Sequence, residues 1–195
     1  MTAVDLSSGY LEFARKQYGL TVVNEGYDSD KITGLFDVIT LFHVLEHLPD
    51  PKKTIQDLYD KLKPGGLLFI EVPNLGAKSA TPANMFFKAH ISYFTHKSLR
   101  LLTSDSFDVV QENDGRFLQM LLRKKATAGQ SEDSSAAKAE SYRFSQERLA
   151  KIGYVEYVLN GGLVAIFRTA KRMLGERIGS RGRDAKAILD DLSRT

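Results

Sequence analysis

His43, Glu46 and His47 stand at i, i+3 and i+4, so on a turn of helix their side chains share one face. Two imidazoles and a carboxylate held together are donors that suit a divalent metal. A neutral imidazole within hydrogen-bond reach can also take a proton from a hydroxyl or amine. Near the N-terminus, Asp5 closes the run Thr2–Leu6. A carboxylate at the end of a strand can accept hydrogen bonds from both hydroxyls of a ribose. It can equally cap the free N–H groups of a following helix.

The elements around these residues read as a strand, a crossover helix and a second strand. Phe36–Phe42 is a β-branched apolar run, expected as a strand buried on both faces. Asp50-Pro51 starts a helix, because the carboxylate caps it and proline loses nothing at the first helical position. Ile55, Leu58, Tyr59 and Leu62 give that helix one apolar face. Lys63-Pro64-Gly65-Gly66 is expected to end it before a buried strand over Leu67–Val72. Such a unit is parallel and right-handed, and ligands gather outside the carboxyl ends of its strands. His43–Leu48 and Glu71–Asn74 fall there. Upstream, Thr2–Leu6 is a predicted strand. Ser7 or Ser8 caps a helix with Leu11, Ala14 and Tyr18 inward, Gly19 ends it, and Thr21–Asn24 is a short strand. Downstream, Thr95 caps a helix with Leu99 and Leu102 inward. Phe107–Glu112 and Phe117–Leu122 read as strands, the latter antiparallel at the edge of the sheet.

The run VLEHLPDP, followed by LKPGG and IEVPN, resembles the post-cofactor half of class I methyltransferases that use S-adenosylmethionine. The resemblance extends from about Thr2 to about Leu122 and is strongest over Phe36–Asn74. It implies an α/β fold, a Rossmann-like doubly wound sheet, and S-adenosyl-L-methionine as cofactor. Asp5 and Leu6 would then bind the ribose end. Tyr27 would cover the adenine, Asp28 would take its amino group, and His43 would line the methionine end. HISYFT resembles the acceptor-side segment of the family, which makes His90 the first candidate for a base, His43 the second, and Tyr93 an orienting residue. Ubiquinone-pathway O-methyltransferases carry a similar EH pair. Small-RNA terminal 2′-O-methyltransferases bind a metal through Glu and His at matching positions, although the first such position here is His43 where those enzymes have Glu. In much of the family the pair is structural, with Glu accepting backbone N–H bonds and His packed under the helix, and both readings stand. The implied activity is methyl transfer to an oxygen or nitrogen of a small molecule or glycan precursor. The alternative is a catalytically incompetent fragment that acts as a binding module. A nicotinamide dehydrogenase shares the doubly wound sheet and the acidic residue, but leaves LPDP, LKPGG and EVPN unexplained.

One departure from the family stands out. Its glycine-rich cofactor loop precedes the strand that Thr2–Leu6 matches, and neither Gly65-Gly66 nor Gly161-Gly162 has the context to replace it. The expectation is an N-terminally truncated sheet without the strand between the second and the fourth. The downstream part of a longer protein is favoured over a degenerate relative or a partner-supplied segment.

Composition sets the remaining bounds. A chain of 195 residues, 43% hydrophobic and 26% charged, fits one soluble domain with an appendage. It has no cysteine, which excludes disulfides and thiolate chemistry and agrees with a cytoplasmic location. No run approaches the ~20 apolar residues of a membrane span, and no signal peptide is apparent. From Arg168 onward eight basic residues stand against four acidic ones, a balance of +4 that leaves −1 of the overall +3 for the rest. The body therefore lacks the charge of a nucleic-acid-binding surface. The expected organisation is a partial methyltransferase core over 1–123, a small polar linker over 124–140, and a helical extension over 141–195 with a mobile basic tail from Gly179. In the extension Leu149, Ile152, Val155 and Leu159 mark one amphipathic stripe, and Leu163 to Ile178 carry a second after the Gly161-Gly162 break. A packed helical hairpin accounts for them, as does a basic amphipathic helix lying on an anionic membrane. Oligomeric state is not legible in the sequence.

Overall fold

The computed structural model describes residues 1–78, 85–129, 135–162 and 164. They fall into two compact units, one built on Met1–Gly34 and the other on Leu35–Leu163.

In the first unit, β1 (Thr2–Val4) and β2 (Thr21–Val23) pair in parallel, Thr2 against Thr21 and Val4 against Val23. They are joined by α1 (Ser8–Tyr18), which ends at Gly19 with φ of 63°. That left-handed conformation costs a residue with a Cβ more than it costs glycine. Leu11 and Val23 are the buried apolar side chains that hold helix to strands.

The second unit carries a four-stranded sheet in the order β3-β4-β6-β5. β3 (Phe36–Phe42) leads through α2 (Pro51–Lys61) to β4 (Leu62–Pro73), which runs parallel to it. After α3 (His96–Thr103) come β5 (Phe107–Asp114) and β6 (Phe117–Lys124), antiparallel to each other, with β6 also antiparallel to β4. Leu68, Ile70 and Val72 of β4 and Leu118, Met120 and Leu122 of β6 alternate along their strands and are at most 1% exposed. Each such burial contributes about 1.5–3 kcal/mol. α2 and α3 pack on this sheet through Ile55, Leu58, Tyr59 and Leu99, with the Tyr59 ring edge-on to Phe107. Asp50 caps α2 by accepting from Lys53 N at 2.9 Å, and Thr95 caps α3 in a reciprocal box with Ser98.

Several expectations change. β3 is not buried on both faces: Leu41 alone is fully buried, while Val38 and Phe42 are 52% and 57% exposed. Among the described residues it pairs only with β4, so it is an edge strand. Lys63-Pro64-Gly65-Gly66 does not separate helix from strand but lies inside β4 as a bulge. Phe36 pairs with Leu62, and Val38 already pairs with Leu67. Gly65 takes φ of 71°, and a Cβ on Gly66 would stand 2.9 Å from Lys63 O and 3.1 Å from Asp37 O. Chain reversal and bulge ask for the same glycines, which is why the motif misleads. β6 is interior and β5 takes the edge. On α3 the fully buried residues are Leu99 and Thr103, with Leu102 only partly covered.

The C-terminal part of this unit also departs from the pattern. α4 (Ser135–Lys151) begins inside the segment read as linker, and α5 (Tyr154–Tyr157) follows. Leu149, Val155 and Leu159 are exposed, and the buried residues are Ser141, Arg148 and Tyr157. Polar anchoring through Arg148 has replaced the apolar stripe. Its guanidinium donates to Glu156 at 2.7 and 3.2 Å and to the carbonyls of Leu75 and Ala77 at 3.4 and 3.3 Å. The stripe from Ile166 to Ile178 and the basic tail lie outside the described residues. No described helix is long and apolar enough to cross a membrane.

Candidate functional site

At the carboxyl end of β3 the chain breaks its extended course at His43, which has φ of 52°. This is the left-handed region, uncommon for a residue with a Cβ. The His43 N–H donates to Glu71 O at 2.9 Å, which holds the turn against the end of β4. A single 3-10 turn, Leu45–His47, follows and is anchored by the fully buried Leu45. His43 thus precedes the turn that carries Glu46 and His47, in place of one regular helical face.

Glu46 is 1% exposed. Its Oε1 lies 3.2 Å from His43 Nδ1, 3.9 Å from His90 Nε2 and 4.0 Å from His47 Nε2. Only the first is a hydrogen-bond distance. Its Oε2 is buried and has no partner among the described residues. Among the described residues no backbone N–H bonds to this carboxylate. The N–H groups of Ile91 and Ser92 bond instead to the Glu46 backbone carbonyl, at 3.0 and 3.1 Å. Those bonds, with His47 Nδ1 to Ala89 O at 2.8 Å, tie the segment 89–92 to the turn and bring His90 over the carboxylate.

His90 is enclosed edge-on by His47 and Phe87, at 5.0 and 5.5 Å between centroids, and its Nδ1 is a second buried atom without a partner. His43 is braced on its far side by Glu71, whose Oε1 is 3.2 Å from Nε2, and Gln119 donates to the other Glu71 oxygen at 2.6 Å. Both nitrogens of His43 therefore face carboxylates. A cavity of about 320 Å³ opens over the four groups His43, Glu46, His47 and His90, with Met85, Phe87 and Phe117 as its apolar wall.

One donor atom each from Glu46, His47 and His90 lies within 4.8 Å of the others. Rotamer adjustment can close that spacing onto one divalent ion. An unsatisfied buried carboxylate oxygen costs about 1–3 kcal/mol, and a cation would relieve that cost. Two imidazoles and a carboxylate, with an orphan oxygen among them, fit such an ion.

The other candidates sit elsewhere. Tyr93 packs its ring on Phe86 at 5.5 Å and edge-on to His90 at 6.2 Å, but does not line the cavity. In the first unit, Asp5 follows β1 and its Oδ1 accepts from Ser7 N at 2.6 Å, a local turn that occupies one of its two oxygens, while Ser7 stands at the start of α1 without a side-chain capping bond. Leu6 is 81% exposed. Tyr27 is half-buried and Asp28 exposed in the loop after β2, where Glu25 is held by Ser29 and Lys31. Glu71 is the member of the cluster that sequence reasoning did not assign to a side-chain role. It was visible as the one acidic residue within the apolar run Leu67–Val72.

The family described as methyltransferase domain matches residues 2–112. Among curated proteins, the ubiquinone biosynthesis O-methyltransferase of Pectobacterium atrosepticum is 36% identical over 86 residues, covering 40% of this chain and 36% of that protein. The protein of the same name from Coxiella burnetii is 33% identical over 85 residues, with the same coverage. The matched stretch thus spans little more than a third of these relatives' own length. Among solved structures, a SAM-dependent methyltransferase from Thermotoga maritima, titled a possible histamine N-methyltransferase, superposes with a TM-score of 0.53 at 20% identity. It covers 64% of this chain and 72% of that one. The 1,6-didemethyltoxoflavin-N1-methyltransferase of Burkholderia thailandensis, solved with S-adenosylhomocysteine, gives 0.50 at 21% identity, covering 64% and 60%. These two structures establish the fold.

Proposed function

The chain belongs to the class I S-adenosylmethionine-dependent methyltransferase family, and from that premise we propose that it transfers a methyl group to a hydroxyl oxygen of a small molecule or glycan precursor, with Glu46 and His90 at the centre of the acceptor site. The supporting observation is a buried carboxylate facing three imidazoles at the end of parallel strands, under a cavity with an aromatic wall. The curated relatives are named as O-methyltransferases, which favours oxygen over nitrogen as the acceptor.

The sulfonium of S-adenosylmethionine supplies a reactive methyl, so the protein's contribution is in-line placement and removal of the acceptor's proton. Neither nitrogen of His43 can accept that proton without giving up a carboxylate contact. His90 keeps an unpartnered nitrogen, and the nearby Glu46 carboxylate stabilises the imidazolium that forms. Met85, Phe87 and Phe117 exclude water from the acceptor oxygen. In the first unit, Asp5 and Leu6 are proposed for the ribose and Tyr27 and Asp28 for the adenine, with Tyr93 supporting His90.

The orphan Oε2 of Glu46 favours a second form of the same site. Glu46, His47 and His90 would hold a divalent cation, whose chemistry when bound is to polarise an acceptor hydroxyl and lower its pKa. In that form Glu46 would turn from His43 to the cation, which frees the Nδ1 of His43 to take the proton. The test is calorimetric titration with S-adenosylhomocysteine, together with transfer of labelled methyl to catechol, each with and without chelator. The expected result is saturable binding, and transfer that His90→Gln lowers about 100-fold while binding is unchanged. Absence of binding that persists once an upstream glycine-rich segment is joined to the chain, or a His90→Gln variant of full activity, would overturn the assignment. Loss of transfer with chelator, restored by Mg²⁺, selects the cation form.

A further inference from the structure

Beside the His–Glu cavity lies a second one of about 530 Å³, and the two share Asn74 and Arg116. Three cations from three separate segments line it: Lys78 from the loop after β4, Lys97 from the first turn of α3, and Arg116 from the β5–β6 turn. Lys97 is paired with Glu140. Lys78 and Arg116 have no carboxylate within ion-pair distance among the described residues, although Lys78 feels the more distant charge of Glu156; the Arg116 guanidinium lies 5.3 Å from the centroid of the Phe117 ring. The lining also holds one carboxylate, Asp114, whose charge a hydrogen bond from a neutral amide does not cancel. Asp114 accepts from the buried Asn74 at 2.7 Å, and His96 faces Glu112 at 3.0 Å.

We propose that this second cavity is a phosphate subsite, so that the acceptor is a hydroxyl compound carrying a phosphate group. The assignment rests on the transferase reading of the neighbouring cavity. Lys78, Lys97 and Arg116 outnumber the one acid of the lining, Asp114, and a phosphate, which carries up to two charges, draws more from that excess than a carboxylate does. A planar guanidinium also presents paired donors to phosphate oxygens. The volume accommodates a phosphate with part of the organic group that bears it. Arg116 and Asn74, common to both cavities, place the anchored phosphate next to the hydroxyl that is methylated.

The test is calorimetric titration of the full chain with inorganic phosphate and, separately, acetate. The variants are Arg116→Gln, Lys78→Gln and, as a control on α2, Lys52→Gln. The expected result is millimolar phosphate binding, weakened about tenfold by either cavity substitution, unchanged in the control, and about tenfold tighter than acetate. Lys78 is exposed, so its substitution reports on the anion and not on folding. Phosphate binding that is absent, or indifferent to both substitutions, would overturn the subsite, and acetate binding of equal strength would overturn the phosphate assignment. S-adenosylhomocysteine titrated on the same samples separates the two claims. Its binding without phosphate removes the subsite alone, and phosphate binding without it, also once the upstream segment is joined, removes the transferase reading alone.

Discussion

Glu46→Gln sets the cost of a buried charge against its use. The wild-type carboxylate makes one hydrogen-bond contact, with His43 at 3.2 Å, and leaves Oε2 buried without a partner. A charge-assisted hydrogen bond is worth about 1.5–3 kcal/mol, and an orphaned buried polar atom costs about 1–3 kcal/mol. Glutamine keeps an oxygen for His43 and leaves an amide nitrogen where the unpartnered oxygen was, but it relieves the burial of a charge, so loss of the charge-assisted bond and relief of desolvation nearly cancel. The expected stability change is within about 1 kcal/mol of zero. In a chain of this length that moves Tm by less than about 4 °C. A carboxylate that served as a structural keystone would instead cost about 3–5 kcal/mol to lose. Methyl transfer should fall about 100-fold, because the charge that supports an imidazolium or a cation is gone. Urea unfolding followed by circular dichroism gives the first quantity, and labelled methyl transfer to catechol the second. A variant destabilised by more than about 3 kcal/mol but fully active would refute the reasoning.

Three further outcomes follow from the geometry. Arg148→Met should cost about 2–3 kcal/mol in urea, less than for a fully enclosed pair, because Glu156 keeps 20% of its side chain exposed and can rehydrate. The same pair sets a pH dependence. The Arg148 guanidinium holds the Glu156 carboxyl below its usual value of 4.5, so its stabilisation is complete above that value and fades as pH falls through the lowered one. Stability measured over about pH 3 to 6 should lose that acid-side slope in Arg148→Met and keep the similar contribution of Glu112, which Arg100 holds down. Gly66→Ala should lower stability by about 1–3 kcal/mol in thermal unfolding, since two carbonyl oxygens stand within 3.1 Å of the new methyl. At His43, asparagine tolerates the left-handed backbone and valine does not, so His43→Val should be about 1–2 kcal/mol less stable than His43→Asn. Equal stabilities would remove the strain argument.

Features fixed by neighbouring residues were legible in the sequence. Asp50-Pro51 and Thr95 cap helices through bonds spanning three residues, and both do so in the structure. The cluster around Glu46 was half legible. The spacing of His43, Glu46 and His47 is visible, but the approach of His90 depends on backbone bonds from Ile91 and Ser92 across more than forty positions. The role of Glu71 depends on register: pairing Phe42 with Glu71 sets this side chain beside the residue that follows β3. The interior place of β6 and the burial of Arg148 are long-range choices that no local pattern records. The exposed stripe of Leu149, Val155 and Leu159 shows periodicity failing where an ion pair supplies the anchor.

With β6 between β4 and β5, assembly of the second unit waits on its last strand. During synthesis β4 can pair with β3 early, but its other edge has no partner until Lys124 has emerged. β5 and β6 can close first as a local hairpin, and docking of that hairpin on β4 is the non-local step that sets the pace. Lys124 then closes the structure by donating to the carbonyls of Tyr59 and Leu62, both at 2.7 Å. Until that moment a nascent chain presents an open, strongly apolar strand edge, and chaperone demand should peak in that interval.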